Sequence, residues 1–302
     1  MTLGIRILFF GLVGLFSGMV AWPCAELVLF LQAAFFTLLF FNAALGVTTG
    51  VLMGACFGTS EGVIAKSAKK VVSGAVTGVG VGFAGGLLGF VAGQAALLHI
   101  GTTFFNTTKS FEQVGFPLSR VVGWAVFGIF IGSVEGIRSR CGPKVRNGVI
   151  GGLCGGIMGG LAVEYIRYLS PESFLSRLVG FLVLGLLIGI FYGFIENRLA
   201  RARLLLLNGE QRNKMFLLTQ KRTIVGMSEK TEVTLHGYER VAPEHAVVTR
   251  VRGDYVLSGA GAEAGAGSHK ALYVNDERAE SAPLKDGDVI RIGDAQFRFT
   301  KR

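Results

Sequence analysis

"VVSGAVTGVGVGFAGGLLGFVAGQAALL", from Val71 to Leu98, holds no Asp, Glu, Lys or Arg along its whole length. As a helix rising about 1.5 Å per residue it is longer than the ~30 Å hydrocarbon core of a bilayer. Gly74, Gly78, Gly82 and Gly86 recur every four residues. That spacing sets them on one helical face, where a second backbone can approach closely. The stretch reads as a membrane span built to pack against another helix.

The rest of the chain agrees with that reading. Of 302 residues 51% are apolar, and only 17% are charged, against about a quarter in soluble domains. The net charge of +10 is read as the positive-inside bias at span ends and attraction to anionic lipid, not as a nucleic-acid footprint. Cys24, Cys56, Cys141 and Cys154 form no C-x-x-C pair, so neither a metal site nor a disulfide framework is expected. Trp22 and Pro23 occupy positions where signal cleavage wants small residues, so the N-terminal apolar run is read as a retained span. Seven apolar segments stand near 5–22, 26–42, 43–64, 71–99, 121–137, 147–167 and 178–197. The basic linkers "AKSAKK" (65–70), "RSRCGPKVR" (138–146) and "RLARAR" (198–203) follow the third, fifth and seventh. Placing all three linkers in the cytoplasm gives a consistent alternation. Seven spans put the N-terminus outside, against which Arg6 argues. A six-span alternative needs the 26–64 region to cross once.

A phrase is written twice, as "FGTSEGVIAKSAKK" (57–70) and "IGSVEGIRSRCGPK" (131–144). At an offset of seventy-four, Gly54, Gly58, Glu61, Gly62, Lys66 and Lys70 fall on Gly128, Gly132, Glu135, Gly136, Arg140 and Lys144. The following glycines at 74, 78, 82 and 86 fall on Gly148, Gly152, Gly156 and Gly160. This is a duplicated helical hairpin in parallel orientation, with repeats near 46–119 and 120–176. A partial third copy, 177–203, supplies Gly189, Gly193, Glu196 and Arg201 at an offset of sixty-one, then runs onward without a returning span. The G-x-G-x-x-G of Gly80, Gly82 and Gly85 follows no strand, so it reads as helix packing and not as a dinucleotide loop. Glu61, Glu135 and Glu196 each lie three residues after a spaced glycine. The expected arrangement holds each one by the cation five residues on (Lys66, Arg140, Arg201) and by interfacial water. The alternative has the three converge on a shared axis and line an ion path.

After Arg203 the pattern changes to short alternating segments divided by turns, a β-sandwich of residues 204–302 after a membrane region of 1–203. "TIVGMSEKTEVTL" (223–235), "VAPEHAVVTRVRGDYVL" (241–257), "ALYVND" (271–276) and "PLKDGDVIRIGDAQFRF" (283–299) resemble the forkhead-associated (FHA) domain. The resemblance implies a sandwich whose end loops bind phosphothreonine peptides. It also implies an arginine after Gly226, where Met227 stands, and a phosphate-binding serine three residues before His245, where Ala242 stands. Pro243 and Glu244 replace the usual arginines. In the later loop, Ser268, His269 and Lys270, the lysine takes the place of an asparagine that holds peptide backbone. His245 matches a histidine that braces the loops. Phosphate needs charge-assisted donors, so these loops are expected to dock a partner without reading phosphate.

The fold class is thus multi-domain, an α-helical transmembrane bundle of repeated glycine-rich hairpins followed by an all-β FHA-like sandwich. The expected function is a membrane-anchored adaptor or scaffold in the cell's inner membrane, its cytoplasmic sandwich docking a protein. The alternative is a channel or transporter subunit regulated by the sandwich. Catalytic residues, cofactors and metals are not called for. The expected partners are the lipid bilayer and a cytoplasmic protein, with a second copy of the chain allowed and nucleic acid not.

Overall fold

The charge-free stretch lies within the third of six long helices in the computed structural model. That model describes residues 3–103, 114–170, 173–200, 202–209, 212–228, 231–235, 237–251, 253–260 and 271–301. The helices are α1 (Leu3–Phe30), α2 (Leu38–Ile64), α3 (Ala68–Thr103), α4 (Phe116–Arg138), α5 (Gly142–Leu169) and α6 (Phe174–Leu199). All six are long and apolar enough to cross a membrane. The segment 26–42 forms no span of its own. Helix α1 continues through Pro23 to Phe30, a short 3-10 turn covers Gln32–Ala34, and Thr37 caps α2 by accepting the Phe40 N–H at 3.3 Å. A seventeen-residue segment is short for a span; it is divided between the end of α1 and the start of α2. The chain separates into a helical unit, Gly4–Arg198, and a β unit comprising Leu199–Arg302.

In the helical unit the spaced glycines face backbone. A methyl group added to Gly58 would overlap the Gly74 carbonyl, and Gly54 stands likewise against Gly78 and Gly50 against Gly82. Seventy-four residues on, Gly132 meets Gly148 and Gly128 meets Gly152 in the same way. Gly82 serves this contact while Gly85 lies against Phe130 and Gly80 against nothing, so the G-x-G-x-x-G divides between two packing faces and open space. Helix α6 also has a returning partner, which reading along the chain does not reveal. It is α1, from the other end of the sequence. Gly185 meets Gly14, Gly189 meets Phe10 and Gly193 meets Ile7. Counting from the offset of sixty-one, this is the register of Gly128 on Gly152. The third hairpin is closed by the first helix.

The basic turns also repeat in geometry. Ser67 N–H bonds the Gly62 carbonyl at 3.1 Å and Cys141 N–H the Gly136 carbonyl at 3.0 Å, the six-to-one closure of a helix C-terminus. Lys66 and Arg140 occupy the left-handed position, at φ 52° and 49°. A side chain there costs roughly 1 kcal/mol relative to glycine. Lys66→Gly and Arg140→Gly should therefore leave the unit as stable or up to about 1 kcal/mol more so, read as thermal unfolding in detergent. A loss of stability would mean that the cations matter through pairing.

The β unit is a sandwich. One sheet has the order β2 (Met215–Leu217), β1 (Ala202–Leu206), β11 (Ala295–Lys301), β10 (Val289–Ile292), β7 (Leu272–Val274), β8 (Glu277–Arg278). The other runs β4 (Val233–Thr234), β3 (Arg222–Gly226), β5 (Ala246–Val251), β6 (Asp254–Gly259), β9 (Ser281–Leu284). Alternation decides which side chains enter: Leu204 and Leu206 from β1 and Phe297 and Phe299 from β11 are fully buried, and Leu204 pairs with Phe299 across the ladder. They meet Val225, Val248, Tyr255 and Leu257 from the facing sheet. The first strand begins at Ala202 and pairs with Lys301, so the sandwich starts earlier than residue 204. "KDGD" (285–288) forms a turn with Gly287 at φ 90°, closed by Lys285 N–H on the Asp288 carboxylate at 2.7 Å. Burial, with Asp294 nearby, raises the Tyr238 hydroxyl above its ordinary range; it donates to the Asn208 carbonyl at 2.7 Å.

Candidate functional site

The three glutamates converge. Lys144 Nζ stands 3.4 Å from Glu61, 3.5 Å from Glu135 and 3.9 Å from Glu196. Arg6 Nη2 reaches Glu61 at 2.8 Å and Glu196 at 2.9 Å. Arg138 clasps Glu135, with Nε at 2.9 Å from Oε2. Glu135 and Glu196 are almost fully enclosed, at 4% and 1% side-chain exposure, so among the described residues three carboxylates and three cations form one buried, charge-balanced cluster. Among the described residues the partners of Glu61 and Glu135 are not the cations five residues on, Lys66 and Arg140. Lys66 and Arg140 are occupied as left-handed caps, and Arg201 lies outside the described residues. The helix periodicity explains this. Residue i+5 sits well off the face of residue i, whereas Arg138 at i+3 from Glu135 shares it.

Four residues before Glu196 on α6, Tyr192 is buried edge-on against Phe10, ring centroids 4.7 Å apart. Among the described residues neither Tyr192 Oη nor Asn147 Oδ1 has a hydrogen-bond partner. Away from the charges the axis between α2, α4 and α6 is filled with apolar side chains. Met53, Phe127 and Ile188 occupy equivalent repeat positions, as do Phe57, Ile131 and Tyr192, and all are buried. Among the described residues no group of His, Cys, Asp and Glu is arranged to hold a metal ion.

The second candidate is one end of the sandwich. Gly226 ends β3 where a methyl would overlap the Pro243 carbonyl, so a glycine is needed for the loops to meet. Met227 N–H bonds the Ala242 carbonyl at 3.1 Å and Ser228 N–H the Pro243 carbonyl at 3.0 Å. His245 is buried and its Nδ1 accepts the Ala242 N–H at 3.2 Å, while its backbone N–H bonds the Val225 carbonyl and its carbonyl accepts Ala260 N–H. The histidine ties three segments together from inside. Met227 is 41% exposed, and Pro243 and Glu244 are exposed beside it. This surface offers a thioether, a proline ring and a carboxylate, with no arginine among Met227, Ala242, Pro243 and Glu244 to receive a phosphate. Ser268, His269 and Lys270 lie outside the described residues.

A family model described as the FHA domain matches residues 223–293, so the C-terminal unit is an FHA domain; no family model accounts for the helical unit. The FHA domain of the CT664 protein from Chlamydia trachomatis is 17% identical, covering 34% of this chain and 98% of its own, with a TM-score of 0.29. The N-terminal FHA domain of S. cerevisiae Rad53p, in complex with a phosphothreonine peptide, is 14% identical over 34% of this chain and 94% of that one, TM-score 0.29. The FhaA FHA domain complexed with the intracellular domain of Rv3910 is 21% identical over 32% and 98%, TM-score 0.28. The curated proteins hold no match.

Proposed function

We propose that this chain is a membrane-anchored adaptor: the six helices hold it in a cell's inner membrane, and the FHA domain docks a cytoplasmic protein without requiring phosphate. FHA domains are interaction modules, which supports a docking role over a catalytic one. The observation that carries the phosphate-independent reading is the composition of the loop tip, Met227, Pro243 and Glu244 around the buried brace His245. A phosphothreonine with nearly two negative charges would meet Glu244 and find no guanidinium among these residues. With six spans both chain ends lie on one side. The basic turns at 65–70 and 138–146 then face the cytoplasm together with the FHA domain. Spaced glycines facing backbone support a glycine zipper in three hairpins, the last one closed by α1.

The convergence of Glu61, Glu135 and Glu196 would also suit an ion path. Two observations favour a structural lock instead: three cations neutralise the carboxylates, and the axis is filled by Met53, Phe127, Leu184 and Ile188. The test of the adaptor is affinity capture of full-length protein from gently solubilised membranes, with and without phosphatase. A soluble partner should survive phosphatase and be lost on Met227→Asp. A partner released by phosphatase would refute phosphate-independent docking.

A further inference from the structure

The two seams that join successive hairpins differ. Between α3 and α4 glycine meets glycine: a methyl on Gly89 would lie 2.9 Å from the Gly123 carbonyl oxygen, and one on Gly93 would lie 3.5 Å from the Ser119 carbonyl. At the repeat offset of seventy-four those glycines become Val163 and Arg167 on α5. At fifty-seven, Ser119, Arg120 and Gly123 become Ser176, Arg177 and Gly180 on α6. Toward one end this seam is also tight, with Gly151 against Tyr192 and Gly155 against Ile188, but at Gly180 it is held open. A methyl on Gly180 would touch only the Val163 side chain, at 3.7 and 3.8 Å. A shallow groove of about 90 Å³ takes the place of the close contact, walled by Trp124, Val163, Phe181 and Leu184, with Arg167, Ser176 and Arg177 where α5 ends and α6 begins.

Its charged residues leave a cation in excess. Arg177 holds Glu26 through Nε at 2.6 Å and Nη2 at 3.0 Å, and Arg167 Nη2 holds Glu164 at 2.6 Å. Arg120 stands 3.8 Å from the same Glu164. Among the described residues three guanidiniums thus face two carboxylates, and the Arg167 and Arg177 side chains remain 37% and 40% exposed. A guanidinium has five donors, so among the described residues the carboxylate pairs leave Nη1 of both Arg167 and Arg177 for a further anion. Charge at one end and apolar walls below match a ligand with an anionic head and a hydrocarbon tail. On the premise that the helices span a bilayer, we propose that the α5–α6 seam binds an anionic amphiphile, its phosphate at Arg167 and Arg177 and its chain against Trp124, Val163 and Phe181. A bilayer phospholipid and a polyprenyl phosphate share that chemistry.

The chain has two tryptophans, so Trp22→Phe leaves Trp124 as a reporter in the groove wall. Full-length protein of this background would be reconstituted into phosphatidylcholine vesicles carrying a minority of chain-brominated phosphatidylglycerol or chain-brominated phosphatidylcholine. The anionic quencher should be preferred by roughly fivefold for each contacting arginine. Arg167→Gln should lower that preference, and Gly180→Leu, which fills the groove, should remove it. Unlabelled phosphatidylglycerol and unlabelled polyprenyl phosphate would then compete for the site, and the better competitor identifies the head group's source. Equal quenching by the two brominated lipids, a preference that survives Gly180→Leu, or failure of both competitors would overturn the proposal. Protein that does not float with the vesicles at all would overturn the membrane reading itself, a result distinct from these.

Discussion

Replacing Lys144 with methionine should destabilise the helical unit by about 3–5 kcal/mol, the range for removing one partner of a buried ionic cluster. Among the described residues the lysine is the one cation within 4.0 Å of all three glutamates, between 3.4 and 3.9 Å. Without it, three carboxylates share Arg6 and Arg138, and the cluster carries an uncompensated negative charge around Glu135 and Glu196, whose side chains are 4% and 1% exposed. Methionine keeps most of the volume, so the loss is electrostatic and not a cavity. That distinction is testable in a double-mutant cycle. Glu135→Gln in the Lys144→Met background restores charge balance, two carboxylates to two cations, and should recover roughly 1–3 kcal/mol. The measurement is reversible unfolding in mild detergent. A single-mutant loss below about 1 kcal/mol, the scale of exposed pairs, would mean the carboxylates are hydrated and the cluster is no lock.

The sequence carried the convergence of the glutamates only in part. Repetition of Glu61, Glu135 and Glu196 at one register made a shared axis thinkable, because equivalent positions on equivalent helices face equivalent ways. Their partners were not legible. Arg6 lies 190 residues from Glu196, and that contact exists only because α1 returns to pack on α6, a closure that a search for consecutive repeats passes over. Gly14 and Gly18 were the available signal. They stand four apart, as Gly156 and Gly160 do, and they pack on Gly185 and Phe181. The cations at Lys66 and Arg140 misled because proximity in sequence resembles pairing, while their backbone was committed to the left-handed cap of a helix end. In the sandwich, alternation exposed β5, β6, β10 and β11 plainly. It hid β1 (202–206), because the basic linker "RLARAR" (198–203) overlaps its first two residues and divides the strand. Only pairing with β11 turns Leu204 and Leu206 inward. The groove between α5 and α6 was invisible to pattern reading, since Val163 and Arg167 matter by differing from the glycines that hold their repeat positions.

Gly132→Leu should cost about 3 kcal/mol, the upper end of overpacking losses, and Gly80→Leu should cost nothing and gain up to about 1 kcal/mol. Both are mid-helix glycines in glycine-rich spans, and helix propensity favours leucine over glycine by nearly 1 kcal/mol at each. They differ in what the new side chain meets. At Gly132 the first carbon would overlap the Gly148 carbonyl, with Gly152 Cα beyond, and backbone cannot rotate away as a side chain can. Helices α4 and α5 would have to separate, and Gly128–Gly152 would lose its contact with them. At Gly80 a side chain would enter open space. In lipid, burial of apolar surface gives little net drive for helix association, so close backbone contact carries much of it. Separation should also slacken the ionic cluster, because Glu135 and Lys144 are held on these two helices. The Gly132→Leu and Lys144→Met losses should therefore combine to less than their sum. Simple additivity would show that the glycine contacts and the charges stabilise the unit independently, and equal losses at Gly132 and Gly80 would refute the packing role of the spaced glycines.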